Sequence, residues 1–320
     1  LADVSFQLTF LATLGIVLAV LFCDRVLAGL PRVLRCGTLS GAESNSWNTG
    51  QEAVLIVLFF ADVVGRPGRE LLAAKLPGLR RRHSADAVIA NGENATDGKG
   101  IKPAHAEALL SAGVDVITTG NHVWDNWKSR PLLVQNERVL RPLNYPPGNP
   151  GSGMVLVPTP RGMLGVLQVQ GRVYLPPIDC PFRAAARAAE QLRREAAVVV
   201  VDVHAEATAE KIALGWYLDG QVSAVIGTHT HVQTNDARIL PNGTAFVTDV
   251  GMTGAFNSVI GMATEVALRR FLYQTAHKYE LAEGDWRISG ALIEAECDSG
   301  RAVAIETFCL QCPDPTAASA

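Results

Sequence analysis

His229 and His231 stand two residues apart in Gly227-Thr228-His229-Thr230-His231, directly after the apolar run Val222 to Ile226. Side chains alternate between faces of an extended chain, so both imidazoles aim the same way from the strand's carboxyl end or the loop just beyond it. Two neutral imidazoles aimed at one point begin a transition-metal site. An H-x-H pair is not specific by itself. The case strengthens because four other segments end in side chains able to complete a coordination shell. These are Asp62, the pair Glu93 and Asn94, the pair Asn121 and His122, and His204.

The elements that must position these residues share one pattern: an apolar run, a polar cluster, then a helical stretch. Val54 to Phe60 precedes Asp62, Ala87 to Ala90 precedes Asn91-Gly92-Glu93-Asn94, and Val114 to Thr118 precedes Gly120-Asn121-His122. Val198 to Val203, broken only by Asp202, leads into His204-Ala205-Glu206. Buried parallel strands read as such unbroken runs, and α/β sheets bind ligands outside the carboxyl ends of their strands. Five strand ends would then deliver Asp62, Glu93, Asn94, Asn121, His122, His204, His229 and His231 to one crevice.

Each residue also has a plainer reading. Asp62 suits a helix cap, with Pro67 in the first turn. Asn91-Gly92 is a turn signal, Asn121 a helix cap, and His204 a hydrogen-bonded core histidine. Taken together these readings are poor, because four of the seven histidines fall just past expected strands. His83, His105 and His277 lack such partners and read as solvated surface.

The ordered motifs resemble the calcineurin-type metallophosphoesterase pattern and, more narrowly, the bacterial YmdB-like family. The stretches that carry the resemblance include Asp62-Val63-Val64-Gly65-Arg66-Pro67-Gly68-Arg69, Asn91-Gly92-Glu93-Asn94-Ala95 and Gly120-Asn121-His122-Val123-Trp124-Asp125. His204-Ala205-Glu206-Ala207-Thr208, Leu214-Gly215-Trp216-Tyr217, Gly227 to Thr234 and Thr248 to Gly254 complete it, over about residues 54 to 310. One departure is Ala61, where the family usually has glycine; another is the extra amino-terminal stretch.

The resemblance implies an α/β sandwich of two packed mixed sheets with helices outside, and a centre of two metal ions. Glu93 would bridge the ions. Asp62 and His231, with Asn94, would hold one, and Asn121, His204 and His229 the other. Mixed oxygen and imidazole donors suit Fe or Mn, or Zn, better than Mg or Ca. His122 would donate a proton to the leaving alkoxide, with a hydroxide on the metals as nucleophile. The implied activity is that of a phosphodiesterase on small phosphodiesters, 2′,3′-cyclic nucleotides above all, in a protein that forms homo-oligomers. Two alternatives stand beside it: a non-catalytic nucleotide or RNA-processing partner on the same fold, and an amidohydrolase-type hydrolase. In the latter the H-x-H pair normally opens the first strand.

Composition narrows the partners. A formal net charge of −3 and a pI near 6.2 give no polyanion footprint, so stable DNA binding is not expected. The basic cluster Arg80-Arg81-Arg82-His83 reads as a solvated helix terminus. Gly65-Arg66-Pro67-Gly68 and Gly98-Lys99-Gly100 lack the signature of a phosphate loop, and Gly251-Met252-Thr253-Gly254 stays unassigned. Trp124 and Tyr217 read either as stacking surfaces for a base or as packing.

Three regions are expected: residues 1–53 as an amino-terminal extension, 54–312 as the catalytic domain and 313–320 as a disordered tail. Ser5 to Cys23 is uncharged and apolar, with Arg25, Arg32 and Arg35 after it. It reads as extraneous sequence, as an anchor leaving the enzyme on the cytoplasmic side, or as a signal. A cytoplasmic location is expected, with membrane attachment only if that segment is an anchor. The scattered cysteines read as reduced thiols. Helices are expected over Cys180 to Ala196 and Thr264 to Gln274, with β-like runs at Gly243 to Val250, Trp286 to Cys297 and Ala302 to Leu310.

Overall fold

Val54–Phe60 forms strand β1, and its sequence VLIVLFF runs apolar without alternation because it meets hydrophobic side chains on both faces. The computed structural model describes residues 53–314. β1 pairs in parallel with β3 (Ala87–Asn91), which pairs in parallel with β4 (Val116–Thr118). On its other side β1 runs antiparallel to β12 (Trp286–Glu296), with Val54 opposite Glu296 and Phe60 opposite Gly290. β12 also carries β13 (Ala302–Gln311) and β11 (Met252–Ala255), and β11 pairs in parallel with the short β2 (Asp62–Val63).

The second sheet has the order β5-β6-β7-β8-β10-β9. Its inner strands β6 (Gly162–Gln170), β7 (Val198–His204), β8 (Ala224–Thr228) and β10 (Ala245–Val247) are parallel. The edges β5 (Met154–Thr159) and β9 (Arg238–Ile239) are antiparallel.

Period-two alternation divides the apolar residues between layers. Leu55, Val57 and Phe59 of β1 meet Val198, Val200, Ala224 and Ile226 in the core between the sheets. Leu58 and Phe60 turn the other way, onto helices α1 (Gly65–His83), α2 (Pro103–Ser111) and α3 (Ser129–Gln135). Val199, Val201 and Val203 face α4 (Pro181–Leu192) and α5 (Thr208–Leu218). Each such side chain taken from water contributes about 1.5–3 kcal/mol. The result is the expected α/β sandwich of two mixed sheets with helices outside. The methyl of Ala61 joins the apolar cluster between the sheets, in the same company as Phe59 and Ile226.

Several boundaries differ from the sequence reading. The strand expected at Val114 to Thr118 keeps only Val116–Thr118, because the Asp115 carboxylate instead accepts the Val88 N–H at 2.8 Å. The run Gly243 to Val250 keeps only β10 (Ala245–Val247), after which Asp249 uses its side chain to hold a neighbouring loop. α4 stops at Leu192, and the β5–β6 hairpin across Pro160-Arg161 was not singled out. A helix α6 (Thr264–Tyr273) follows the sequence expectation. Cys180, Cys297, Cys309 and Cys312 are free thiols. The reading of the amino-terminal extension, Ala53 excepted, lies outside the described residues, as does the tail past residue 314. No helix among the described residues is long and apolar enough to cross a membrane.

Candidate metal centre

Asp62 lies in β2 and is fully buried. It does not cap α1; Val64 occupies that position with no side-chain cap. Asp62 Oδ2 accepts the backbone N–H of His229 at 3.0 Å and faces His231 Nε2 at 3.3 Å. Its Oδ1 is buried without a hydrogen-bond partner among the described residues. Such an orphaned carboxylate oxygen is costly unless a cation meets it. Burial pushes the Asp62 carboxyl well above its usual range, with Glu93, Asp249 and Asp202 adding to the rise and His204 opposing it.

Asn91, the last residue of β3, sets the next turn. Its Oδ1 accepts the Glu93 N–H at 3.1 Å, and its Nδ2 donates to Thr119 O at 2.9 Å and to Asp202 Oδ2 at 3.0 Å. This ties β3 to the ends of β4 and β7 and turns Glu93 inward. Gly65 N–H donates to Asn94 O at 2.9 Å, so the start of α1 fixes the next residue.

Four donor atoms then meet. His204 Nε2 lies 2.9 Å from Glu93 Oε1, 3.0 Å from Asn121 Oδ1 and 3.0 Å from His229 Nδ1. Ligands about 2.0–2.2 Å from one cation stand about 3–3.5 Å from each other, the spacing found here. The partners on the far sides fix the tautomers. Thr228 gives its hydroxyl hydrogen to Asp202 Oδ1 (2.7 Å) and so accepts Nδ1–H of His204 (2.9 Å). Glu206 Oε2 stands 3.0 Å from His229 Nε2 and accepts its hydrogen. His204 Nε2 and His229 Nδ1 are thereby left to present lone pairs to two oxygens that also carry lone pairs.

A proton relieves one of these contacts; a cation relieves all. Burial pulls the His204 imidazole down, but Glu93, Asp62 and Asp202 outweigh it and hold it at about 9. For Glu93, burial pushes the carboxyl up and His204, His122 and His229 bring it down to about 2. Burial, aided by His204, pulls His229 down to about 3, so it stays neutral and ligand-competent.

The second cluster adjoins the first. His231 Nε2 faces Asn94 Oδ1 at 3.2 Å and Asp62 Oδ2, while its Nδ1–H donates to Ile260 O at 2.9 Å. Asn94 Nδ2 donates to Gly98 O at 2.9 Å, which turns its Oδ1 inward. Again three lone-pair atoms face each other, and burial pulls His231 down so that it stays neutral. The donor sets of both clusters fit a metal. Glu93, His204 and His229 offer ligand atoms within 4.8 Å of one another, and a Cβ on Gly120 would run into Glu93 and His204, so only glycine leaves room there.

The two histidines of the H-x-H pair do not share a direction by strand alternation. β8 ends at Thr228, and His229 and His231 take left-handed φ values of 101° and 65°. That backbone sends one imidazole to each cluster. What holds it there is a buried ion pair that sequence reading missed. Lys211 Nζ, from α5, donates to Thr228 O and Asp249 Oδ2, both at 2.7 Å. Asp249 Oδ2 also accepts Thr230 N–H at 3.0 Å and Thr230 Oγ1–H at 2.8 Å, and its Oδ1 accepts Gly251 N–H at 2.8 Å. Lys211→Met leaves the Asp249 charge buried alone. A destabilisation of about 3–5 kcal/mol is expected in urea unfolding. Asp249→Asn added to it should recover part of that loss; no recovery would show that the two side chains are not coupled.

His122 stands apart from both lone-pair clusters. Its N–H donates to Glu93 Oε2 at 3.2 Å, and its ring Nδ1 donates to Asp125 Oδ2 at 2.8 Å, leaving Nε2 free. The side chain is 25% exposed and lines a cleft of about 380 Å³ whose floor is Glu93, Asn94, His229 and His231.

Five of the eight residues singled out from sequence (Glu93, Asn94, His122, His229 and His231) line this cleft; Asp62 and His204 bond to that group from beside or beneath it, and Asn121 bonds to His204. Asp202, Thr228, Asp249 and Glu206, which fall within the strand runs and motifs, and Lys211, which falls in none of them, orient these residues without being candidates themselves. Trp124 and Tyr217 do not line this cleft; Trp124 stands edge-on to Tyr145, and Tyr217, 46% exposed, edge-on to Phe182. His105 is not solvated surface: it is partly buried and its Nδ1 bonds Thr96 Oγ1 at 2.7 Å. Arg80 also departs from the solvated reading, donating to the carbonyls of Ala85, Asp86 and Gly113.

The chain is similar to known proteins over most of its length. The profile of the YmdB-like protein family matches residues 58–308. The 2′,3′-cyclic-nucleotide 2′-phosphodiesterase of Bacillus subtilis (strain 168) is 43% identical over 250 residues, covering 78% of this chain and 95% of that protein. A crystallised protein from Thermus thermophilus superposes with a TM-score of 0.75 at 46% identity, covering 81% of this chain and 100% of its own. A phosphatase from Mycoplasma pneumoniae superposes with a TM-score of 0.77 at 32% identity, covering 84% and 98%.

Proposed function

The chain belongs to the YmdB-like protein family, and from that premise we propose that it is a metal-dependent phosphodiesterase acting on small phosphodiesters, 2′,3′-cyclic nucleotides foremost. Residues 54–312 would form the catalytic domain. The observation that carries this reading is the gathering of Glu93 Oε1, Asn121 Oδ1 and His229 Nδ1 within about 3 Å of His204 Nε2, a set that one proton relieves at a single contact and a cation relieves at all.

Asn121, His204 and His229 would hold one cation, and Asp62, Asn94 and His231 the other, with the Glu93 carboxylate shared. Iron or manganese, or zinc, suits this mixture of oxygen and imidazole. When bound, two such ions supply Lewis acidity at phosphorus and a nucleophile at neutral pH. The rest falls to the chain itself. Asp202 through Thr228, and Glu206 directly, hold the imidazole hydrogens away from the facing ligand atoms. The oxygen of water adds to phosphorus and the ester bond to the ribose oxygen breaks. In its doubly protonated form His122 passes the Nε2 proton to that departing oxygen while Asp125 holds Nδ1–H, and the proton given up by the attacking water restores the ring.

Chelation tests the reading. Protein stripped with a chelator should lose hydrolysis of 2′,3′-cyclic AMP and of bis-p-nitrophenyl phosphate, and added Mn²⁺ should restore both. Its thermal midpoint should fall on stripping and rise on reloading, since a ligand bound only to the folded state stabilises it. Undiminished turnover after verified metal removal would rule the proposal out.

A further inference from the structure

One wall of the cleft is apolar and is not accounted for by metal binding. Ile260, Met262 and Tyr279 line the cleft beside the metal-ligand candidates. Ile260 is the informative member. It is β-branched yet holds φ at 48°, a left-handed conformation in which such residues are outliers, and it is 50% exposed. A strained backbone that presents a bare aliphatic group to solvent points to function rather than to folding.

The wall is also firmly built. Met262 bridges Leu281, Ala263 N–H donates to Glu280 O at 2.9 Å and Ala282 N–H donates to Gly261 O at 3.0 Å. The loop before α6 and the segment after it are thus zipped together. Tyr279 lies over Gly98, where a Cβ would sit 2.5 Å from its ring, and its hydroxyl is 3.5 Å from the Cβ position of Gly261. Gly98 and Gly261 both have left-handed φ, 84° and 93°. The Gly98-Lys99-Gly100 stretch, which lacks the signature of a phosphate loop, therefore serves as the seat for this tyrosine. Burial pushes the phenol up to about 12, so it is neutral, and its hydroxyl has no hydrogen-bond partner among the described residues.

Both lips of the wall are bonded to side chains of the second cluster. Ile260 O accepts from His231 Nδ1, and Gly98 O accepts from Asn94 Nδ2, each at 2.9 Å. The apolar surface thus sits in fixed register with the place where a phosphodiester would react.

We propose that Ile260, Met262 and Tyr279 form the specificity subsite for the base of a nucleotide, with the Tyr279 hydroxyl donating to a polar atom of the base or its ribose. The proposal rests on the phosphodiesterase reading and adds to it a reason for preferring nucleotides over phosphodiesters that lack a base. A flat uncharged heterocycle offers the apolar face that this wall matches, next to the phosphate that the metals would take.

The test compares kcat/KM for 2′,3′-cyclic AMP with that for glycerol 1,2-cyclic phosphate, which keeps the five-membered cyclic ester and has no base. The Mn²⁺-loaded full chain is assayed with Ile260→Gly, Met262→Ala and Tyr279→Phe. Glycine keeps the Ile260 carbonyl and suits its φ, and phenylalanine keeps the ring, so both variants should fold. Each substitution should lower the ratio of nucleotide to baseless substrate on the order of tenfold. Ile260→Gly should do so with no fall in thermal midpoint, which a purely structural role would not allow. An unchanged ratio in all three folded variants overturns the subsite. Failure of the wild type on both substrates overturns the phosphodiesterase reading instead.

Discussion

Glu93→Gln is expected to release metal and abolish turnover, with a rate loss of at least ~10³-fold. The side chain keeps its size, so packing should survive; what changes is charge. Glu93 is buried and brings its two oxygens to two jobs, Oε1 against His204 Nε2 and Oε2 accepting the His122 N–H. An amide places NH₂ at one of these positions. Next to His122 N–H it sets donor against donor, and next to His204 it takes up the lone pair intended for a cation. On the proposed reading Glu93 would be shared by two ions, so metal analysis should show both lost or weakened together rather than one. Two fully retained ions would remove Glu93 from the shared position and would call for another bridging group.

The residues most legible in the sequence were those at strand ends. A parallel strand buried on both faces writes an unbroken apolar run, and the first polar residue after it stands out, as with Asp62 after Phe60 and His204 after Val203. Glu93 and Asn121 were found in the same way. The supporting network left no such mark. Lys211 lies in a helix between Glu210 and the apolar Ile212-Ala213-Leu214, and lysine is almost always exposed, so nothing local suggests that it is fully buried. Its partner Asp249 is 38 residues away and is brought near only by the pairing of β8 with β10. The left-handed backbone at His229 and His231 was likewise invisible, since two histidines spaced by threonine read as a strand. Aromatic residues misled in the opposite direction. Trp124 and Tyr217 fall inside motifs but pack against other rings, whereas Tyr279 lies in no motif and reaches the cleft through the glycines that make room for it.

His122→Ala is expected to separate chemistry from metal binding. His122 contributes no atom to either cluster of facing lone pairs, so metal content should match the wild type. Its Nδ1–H is committed to Asp125, whose carboxylate also lies 3.9 Å from Lys99 Nζ, and only Nε2 remains to face a substrate. Loss of a positioned general acid should slow hydrolysis of a cyclic nucleotide on the order of 10²–10⁴-fold. The loss should be much smaller for a p-nitrophenyl ester, because that phenolate departs without a proton whereas a ribose alkoxide needs one. Asp125→Asn should show the same contrast in milder form, since an amide leaves the ring in place but no longer stabilises the doubly protonated ring that donates from Nε2. Equal losses on both substrates would mean that His122 binds the phosphate instead of protonating the leaving group. An undiminished rate on the nucleotide would place the acid elsewhere, with Glu206, a carboxyl that also lines the cleft, as the next group to replace.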